Sequence, residues 1–174
     1  MVYNRSSQDS TLIQYNNSEN IMKKYITLTN ILCVFIAFVF LQSLPFKFTN
    51  SLETQHIFTT LADWSGFTWF GVYGGYMIGA AELVTAILLF TKLRSIAAVM
   101  AMGIMSGAIF FHLFTPLGIV MPHFDANTGL QIGDDSGILF GMACLTWISA
   151  LVVALIELKN PKSCLSQLLA KKEI

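Results

Sequence analysis

Three ionisable side chains sit in apolar surroundings. Glu82 lies in GYMIGAAELVTAILLF, His112 in AIFFHLF and Lys47 in LQSLPFKF. A charge in hydrocarbon is costly, so such a group faces the protein interior, pairs, or stays neutral. Glu82 could act as an acid, a counter-ion or a polar contact for a ligand. His112 could pass or accept a proton. Lys47 could supply a point charge to either. Each also has a structural reading. Glu82 and His112 could hydrogen-bond a neighbouring helix, and Lys47 could anchor at the membrane interface with its stem in the apolar layer.

Other chemistry is thinly represented. The sequence carries no nucleophile triad, phosphate-binding loop or zinc spacing. Cys33, Cys144 and Cys164 are far apart with no CxxC pair, so a disulfide framework is not expected. Cys33 and Cys144 read as small packing residues, with a redox pair as the alternative. Asp125, Asn127, Asp134 and Asp135, with His123 beside them, offer hard oxygen ligands but lack calcium-loop spacing. They read as a polar turn with Asn127-Thr128-Gly129 at its tip, and no metal site is expected. The net charge is zero, which leaves no footprint for nucleic acid.

These groups must be positioned by elements that fit a bilayer. Of the 174 residues, 55% are hydrophobic and only 11% charged, against about 25% charged in a soluble domain. The mean hydropathy is +0.64. Four long apolar stretches stand out, at residues 25–44, 69–90, 95–120 and 138–156. About 20 helical residues cross the hydrocarbon core, and each stretch is near or above that length. None carries the polar stripe that a soluble core helix needs. Open strands would leave backbone groups unpaired in lipid, and barrel strands would alternate over about ten residues. The expected fold is an all-α membrane protein, a compact bundle of four transmembrane helices.

Charge sets the expected orientation. Nine of the ten Lys and Arg residues precede the first span, lie between the second and third, or follow the fourth. Only Lys47 breaks the pattern. The positive-inside rule puts both termini in the cytoplasm. Residues 1–24 read as a polar, disordered or loosely held segment, and the first apolar run starts too late and is too long for a signal peptide. Residues 25–157 form the bundle and residues 158–174 a cytoplasmic tail. The tail, with Leu165, Leu168 and Leu169 beside Lys162, Lys171 and Lys172, reads either as a short amphipathic helix or as a solvated tail. Trp64, Phe67, Trp69 and Phe70 read as an aromatic belt at the outer interface.

Small residues suggest how the spans meet. Gly71, Gly75 and Gly79 repeat every four residues in the second span. Gly103 and Gly107 lie in the third, Gly137 and Gly141 in the fourth. Such seams let helices approach closely in lipid, within the bundle or in a dimer. Seven and eleven residues separate Gly75 and Gly71 from Glu82, and both offsets return within about 20° of one face. The carboxylate should therefore point along the seam. His112 shares a face with Ala101, Met105 and Ala108, and counts from Lys92 and Arg94 place it about 12 Å further outward than Glu82. A direct bond between the two is not expected in straight helices.

At these same residues the sequence resembles the DoxX-like family of small four-helix membrane proteins. The run GYMIGAAELVTAILLFTKLRSIAAVMAMGIMSGAIFFHL carries a Gly-rich start, an acidic residue (Glu82), a basic turn (Lys92, Arg94) and a late His (His112). SLPFKF resembles the family's end of the first span, with its basic residue (Lys47). The resemblance covers residues 25–157. The long acidic outer loop and the polar N-terminal segment depart from it. It implies an accessory subunit or scaffold of a membrane redox or stress-response complex in a bacterial inner membrane, without catalytic activity of its own. The alternative is a site for a quinone or lipid built from Glu82, His112 and Lys47; no other cofactor is evident. A proton or solute transporter is a third reading, weakened by the absence of inverted repeats. The expected partners are the lipid bilayer and membrane or redox proteins or a second copy of the chain.

Overall fold

The computed structural model describes residues 5–161 and 163–170. Lys162, Lys171 and Lys172, and the side chains of Arg5 and Lys23, which entered the charge count, lie outside the described residues. Four helices are long and apolar enough to cross a bilayer: Thr27–Phe48, Thr68–Leu88, Arg94–Phe114 and Ile138–Leu158. Only 28–33% of each apolar window is buried inside the chain. The remainder shows Ile31, Val34, Phe38, Val72, Ile87 and Ile148 on the outside. A soluble protein rarely carries an apolar surface of that extent, whereas lipid tails wet it without cost. The chain is a multi-pass membrane protein of the all-α class.

The first helix, α1, runs Arg5–Phe48. Its polar leading segment is helical from Arg5, a correction to the loose segment expected there. No Pro or Gly interrupts residues 5–24, so the span's helix propagates backward at one hydrogen bond per added residue. Pro45 lies in the last turn of α1. It cannot donate to the carbonyl four residues back, and the helix stops three residues later. Asn50 turns the chain at φ 51°.

A second helix, α2, covers Leu52–Ser65, between the first two of the apolar stretches. The Ser51 side chain caps it by accepting from the Thr54 amide. Gly66, at φ 77°, ends it. The next two spans are α3, Thr68–Leu88, and α4, Arg94–Phe114, joined by a tight turn. α4 ends six residues before the Val120 expected from hydropathy alone. Thr115 is extended, as the residue before Pro116 must be. A two-stranded antiparallel hairpin follows, β1 at Pro122–Phe124 and β2 at Gln131–Asp134. The last helices are α5, Ile138–Leu158, and α6, Cys164–Ala170. The Leu165 amide of α6 donates to Ser95 Oγ of α4 at 3.1 Å, which ties the tail to the bundle as a helix.

The four spans form a ring of contacts, with α1 against α3 and α5, and α4 against α3 and α5. Cys33, Ile36, Phe40, Leu89 and Val153 fill the middle. All three cysteines are free. The close approach of α4 rests on alanines: Ala97, Ala98 and Ala101 are fully buried, as is Ala150 on α5. Within the chain, this corrects the glycine seams expected for the third and fourth spans. Gly103 lies about 200° round the helix from Ala101, on the opposite side. A Cβ added at Gly103, Gly107 or Gly141 would meet nothing within 4 Å. Gly137 is not part of a seam at all; it caps α5 in the left-handed conformation at φ 80°.

The seam on α3 is real, but its partner is α2. A Cβ at Gly71 would stand 3.1 Å from Ala62 Cβ, and one at Gly75 would stand 2.9 Å from Thr54 Cγ2. The closest approach is at Gly74, outside the fourfold repeat, where a Cβ would overlap the Phe58 ring. Gly79 faces Lys47 and Phe48 at the end of α1. Thus α1 ends beside the middle of α3, and α2 continues along α3 toward its first turn. A smaller cluster of Leu61, Leu117 and Met121, with Phe70 and Phe111 against it, joins α2 to the start of α3 and the end of α4.

Candidate functional site

The stagger between α1 and α3 creates the polar centre of the bundle. Ser43 and Lys47 are four residues apart on α1 and therefore share a face. That face meets Glu82, which is 3% exposed. Lys47 Nζ lies 2.8 Å from Glu82 Oε2. It also donates to Ser43 Oγ at 2.7 Å. Ser43 Oγ in turn lies 2.9 Å from Glu82 Oε2 and 2.7 Å from the Phe40 carbonyl. Its single proton can serve one of these at a time. The three side chains form a closed triangle in which the cation, the hydroxyl and the carboxylate each touch the other two.

The sequence singled out Glu82 and Lys47 separately and left their pairing open. What it missed was Ser43. The signal available was its position, one helical turn before Lys47 on the same face. Lys47 also needs the small residue at Gly79, whose missing side chain leaves room for the lysine stem, 3.4 Å from where a Cβ would stand.

His112 belongs to a different network. Its Nδ1 is 2.6 Å from the Gly118 carbonyl. A carbonyl only accepts, so Nδ1 carries the proton. The Phe140 ring meets the imidazole edge-on at 5.8 Å between centroids. This histidine fixes the chain where it leaves α4, as the expected separation from Glu82 requires.

The same junction is held by Asp135. Its Oδ1 accepts from the Met121 amide at 2.7 Å and the Gly137 amide at 2.9 Å, and its Oδ2 accepts from Leu139 at 2.9 Å. Burial pushes the Asp135 carboxyl up, but these three amides and the nearby His112 leave it below its ordinary value. The hairpin is tied to α2 in a similar way. His123 Nδ1 lies 3.3 Å from Glu53 Oε1, which also accepts from the Phe124 amide at 3.3 Å. Burial raises the Glu53 carboxyl, and its own amide, the Phe124 amide, Ser51 and His123 together bring it below the usual range. Asp125 uses Oδ1 to hold the Asn127 and Thr128 amides at the hairpin tip.

The structure therefore separates the three residues the sequence grouped. Lys47 and Glu82 come together with Ser43; His112 joins Gly118, Asp135 and the segment between α4 and α5. Compared with models of protein families, with curated proteins and with solved structures, the chain matches none of them.

Proposed function

We propose that this chain is a non-catalytic accessory subunit of a multi-protein membrane assembly, of the DoxX-like kind and in a redox or stress-response setting. In this reading both termini are cytoplasmic, the membrane is a bacterial inner membrane, and α2 with the hairpin forms the outer face. The observation that carries it is the closed contact of Lys47, Ser43 and Glu82. The intramembrane carboxylate is satisfied within its own chain, as expected of a group that fixes helix positions. A ligand at Glu82 would have to displace Lys47 from a contact of 2.8 Å. A proton path from Glu82 to His112 would have to join two networks that have no member in common.

The outer layer gives such a subunit a face to present. Ile132 on β2 and Leu130 just before it are 62% and 67% exposed, and β2 is bonded to a neighbour on only one side. Unpaired strand edges with apolar side chains favour docking of another chain. The test is affinity purification of the tagged chain in mild detergent from cells expressing it at native level. A stoichiometric membrane partner is expected, lost in Leu130→Asp/Ile132→Asp and retained in Glu82→Gln. A clean monomer without partner, seen for the wild type, contradicts the proposal.

A further inference from the structure

A cavity lies at the opposite end of the bundle, where the first span begins and α5 ends. It has a volume of about 530 Å³, within the ~300–1,000 Å³ range of small-molecule sites. α1 contributes Tyr25 and Thr29, and the start of α4 contributes Arg94. The last turns of α5 supply Val152, Leu155 and Ile156 as an apolar wall, with Glu157 beside them. Lys159, Asn160 and Pro161 close it from the connection to α6.

The polar lining is asymmetric. Arg94 and Lys159 carry two positive charges against one negative charge on Glu157. Arg94 Nε is committed to the Leu89 carbonyl at 3.0 Å. Its Nη1 stands 3.7 Å from Glu157 Oε1, too long for a hydrogen bond. The Nη donors of Arg94 and the Lys159 ammonium thus have no hydrogen-bond partner among the described residues. A guanidinium fork with open donors suits the oxygens of a phosphate. The apolar part of the site opens on the side of the bundle. Leu155 and Tyr25 both line the cavity and remain about half exposed, at 50% and 53%.

We infer that this cavity is a binding site for one anionic phospholipid of the adjacent leaflet. The phosphate sits between Arg94 and Lys159, and the upper acyl chain lies along Val152, Leu155 and Ile156. Basic pockets between transmembrane helices take anionic headgroups by the same chemistry. Charge complementarity selects the lipid: a zwitterionic headgroup brings its own cation against Arg94 and Lys159, and a net-negative one does not. Glu157 works against the ligand, holding part of the Arg94 field when the site is empty. The inference does not depend on the proposed function or on which leaflet this end faces.

Native mass spectrometry of the full chain, purified in detergent and titrated with phosphatidylglycerol or phosphatidylcholine, tests it. One phosphatidylglycerol should be retained per chain, in preference to phosphatidylcholine. Lys159→Gln should weaken that retention about fivefold, the worth of one cation near an anionic headgroup. Arg94→Gln should weaken it at least as much. Glu157→Gln should strengthen it, a change of opposite sign that general loosening of the helix ends would not produce. If Arg94→Gln fails to fold, the Lys159 and Glu157 variants decide the matter. Equal retention of the two lipids, or retention unchanged in Lys159→Gln and Glu157→Gln, overturns the site. Inorganic phosphate that raises the melting temperature as much as phosphatidylglycerol does would make it a site for a free anion and overturn the lipid assignment.

Discussion

Lys47, one residue short of the end of α1, pairs with Glu82 two-thirds of the way along α3, at 2.8 Å. The two would stand at different depths if the spans began and ended together. They meet because α1 stops early beside Gly79 and α2 takes over the rest of the α3 surface. The pairing therefore records the stagger of the bundle. It also accounts for the one positive residue that breaks the charge pattern: Lys47 is paired with Glu82.

Separate networks should behave independently. Glu82→Gln and His112→Phe should each destabilise the protein, and the double variant should show the sum of the two losses to within about 0.5 kcal/mol, as sites without shared partners do. Chemical unfolding in detergent measures this. A coupling well above that value would mean that the histidine and the carboxylate share a site after all.

The two kinds of glycine should respond oppositely to a methyl group. Gly74→Ala drives a Cβ into the buried Phe58 ring and should cost about 1–3 kcal/mol, the usual penalty of overpacking. Gly103→Ala and Gly107→Ala meet open space, and alanine is the better helix former, so neither should destabilise. Thermal melting of the three variants in detergent reads the difference. A loss of stability at Gly103 equal to that at Gly74 would show that α4 uses its glycines in a contact between chains.

Acid should first loosen the layer formed by α2 and the hairpin. The Glu53 and Asp135 carboxyls are held below their ordinary values in the folded chain. A depressed folded value contributes stability above the unfolded value, near pH 4, and that contribution is lost as pH falls through the folded value. Protection of the Met121, Phe124 and Leu139 amides, relative to their intrinsic exchange rates, should therefore fall below about pH 4 while protection within the α4–α5 interface holds. Asp135→Asn should move the Met121 and Leu139 amides toward the acid behaviour at neutral pH. Uniform loss of protection across the whole chain would place the acid-sensitive group elsewhere.

Much of the fold was legible because a bilayer constrains length and composition so tightly. The four spans could be read from apolar runs, and the face of Glu82 from helical periodicity. Hydropathy could not end α4 at Phe114, since Leu117, Ile119 and Val120 are as apolar as the helix; Pro116 was the relevant signal. It could not show α2 either. Leu52–Ser65 contains Glu53, Gln55, His56 and Asp63 and reads as a loop until Phe58 and Ala62 find the glycine face of α3. Counting small residues revealed the α3 seam but also marked Gly103, Gly107 and Gly141, because spacing does not say which side of a helix has a neighbour. The pairing of Lys47 with Glu82 depended on the stagger, which is a tertiary property. The cavity at Arg94 and Lys159 was hidden for the same reason: in sequence those residues serve only to mark the inner loops.

The most direct test of the Lys47–Glu82 lock is a double-mutant cycle in detergent, measured by chemical unfolding. Lys47→Met and Glu82→Gln should each cost about 3–5 kcal/mol, because each leaves a buried polar partner uncompensated. The double variant should cost far less than the sum, and partner copurification should survive in Glu82→Gln. Single variants that leave stability unchanged, or losses that simply add, would contradict the lock and return Glu82 to the role of a ligand or proton site.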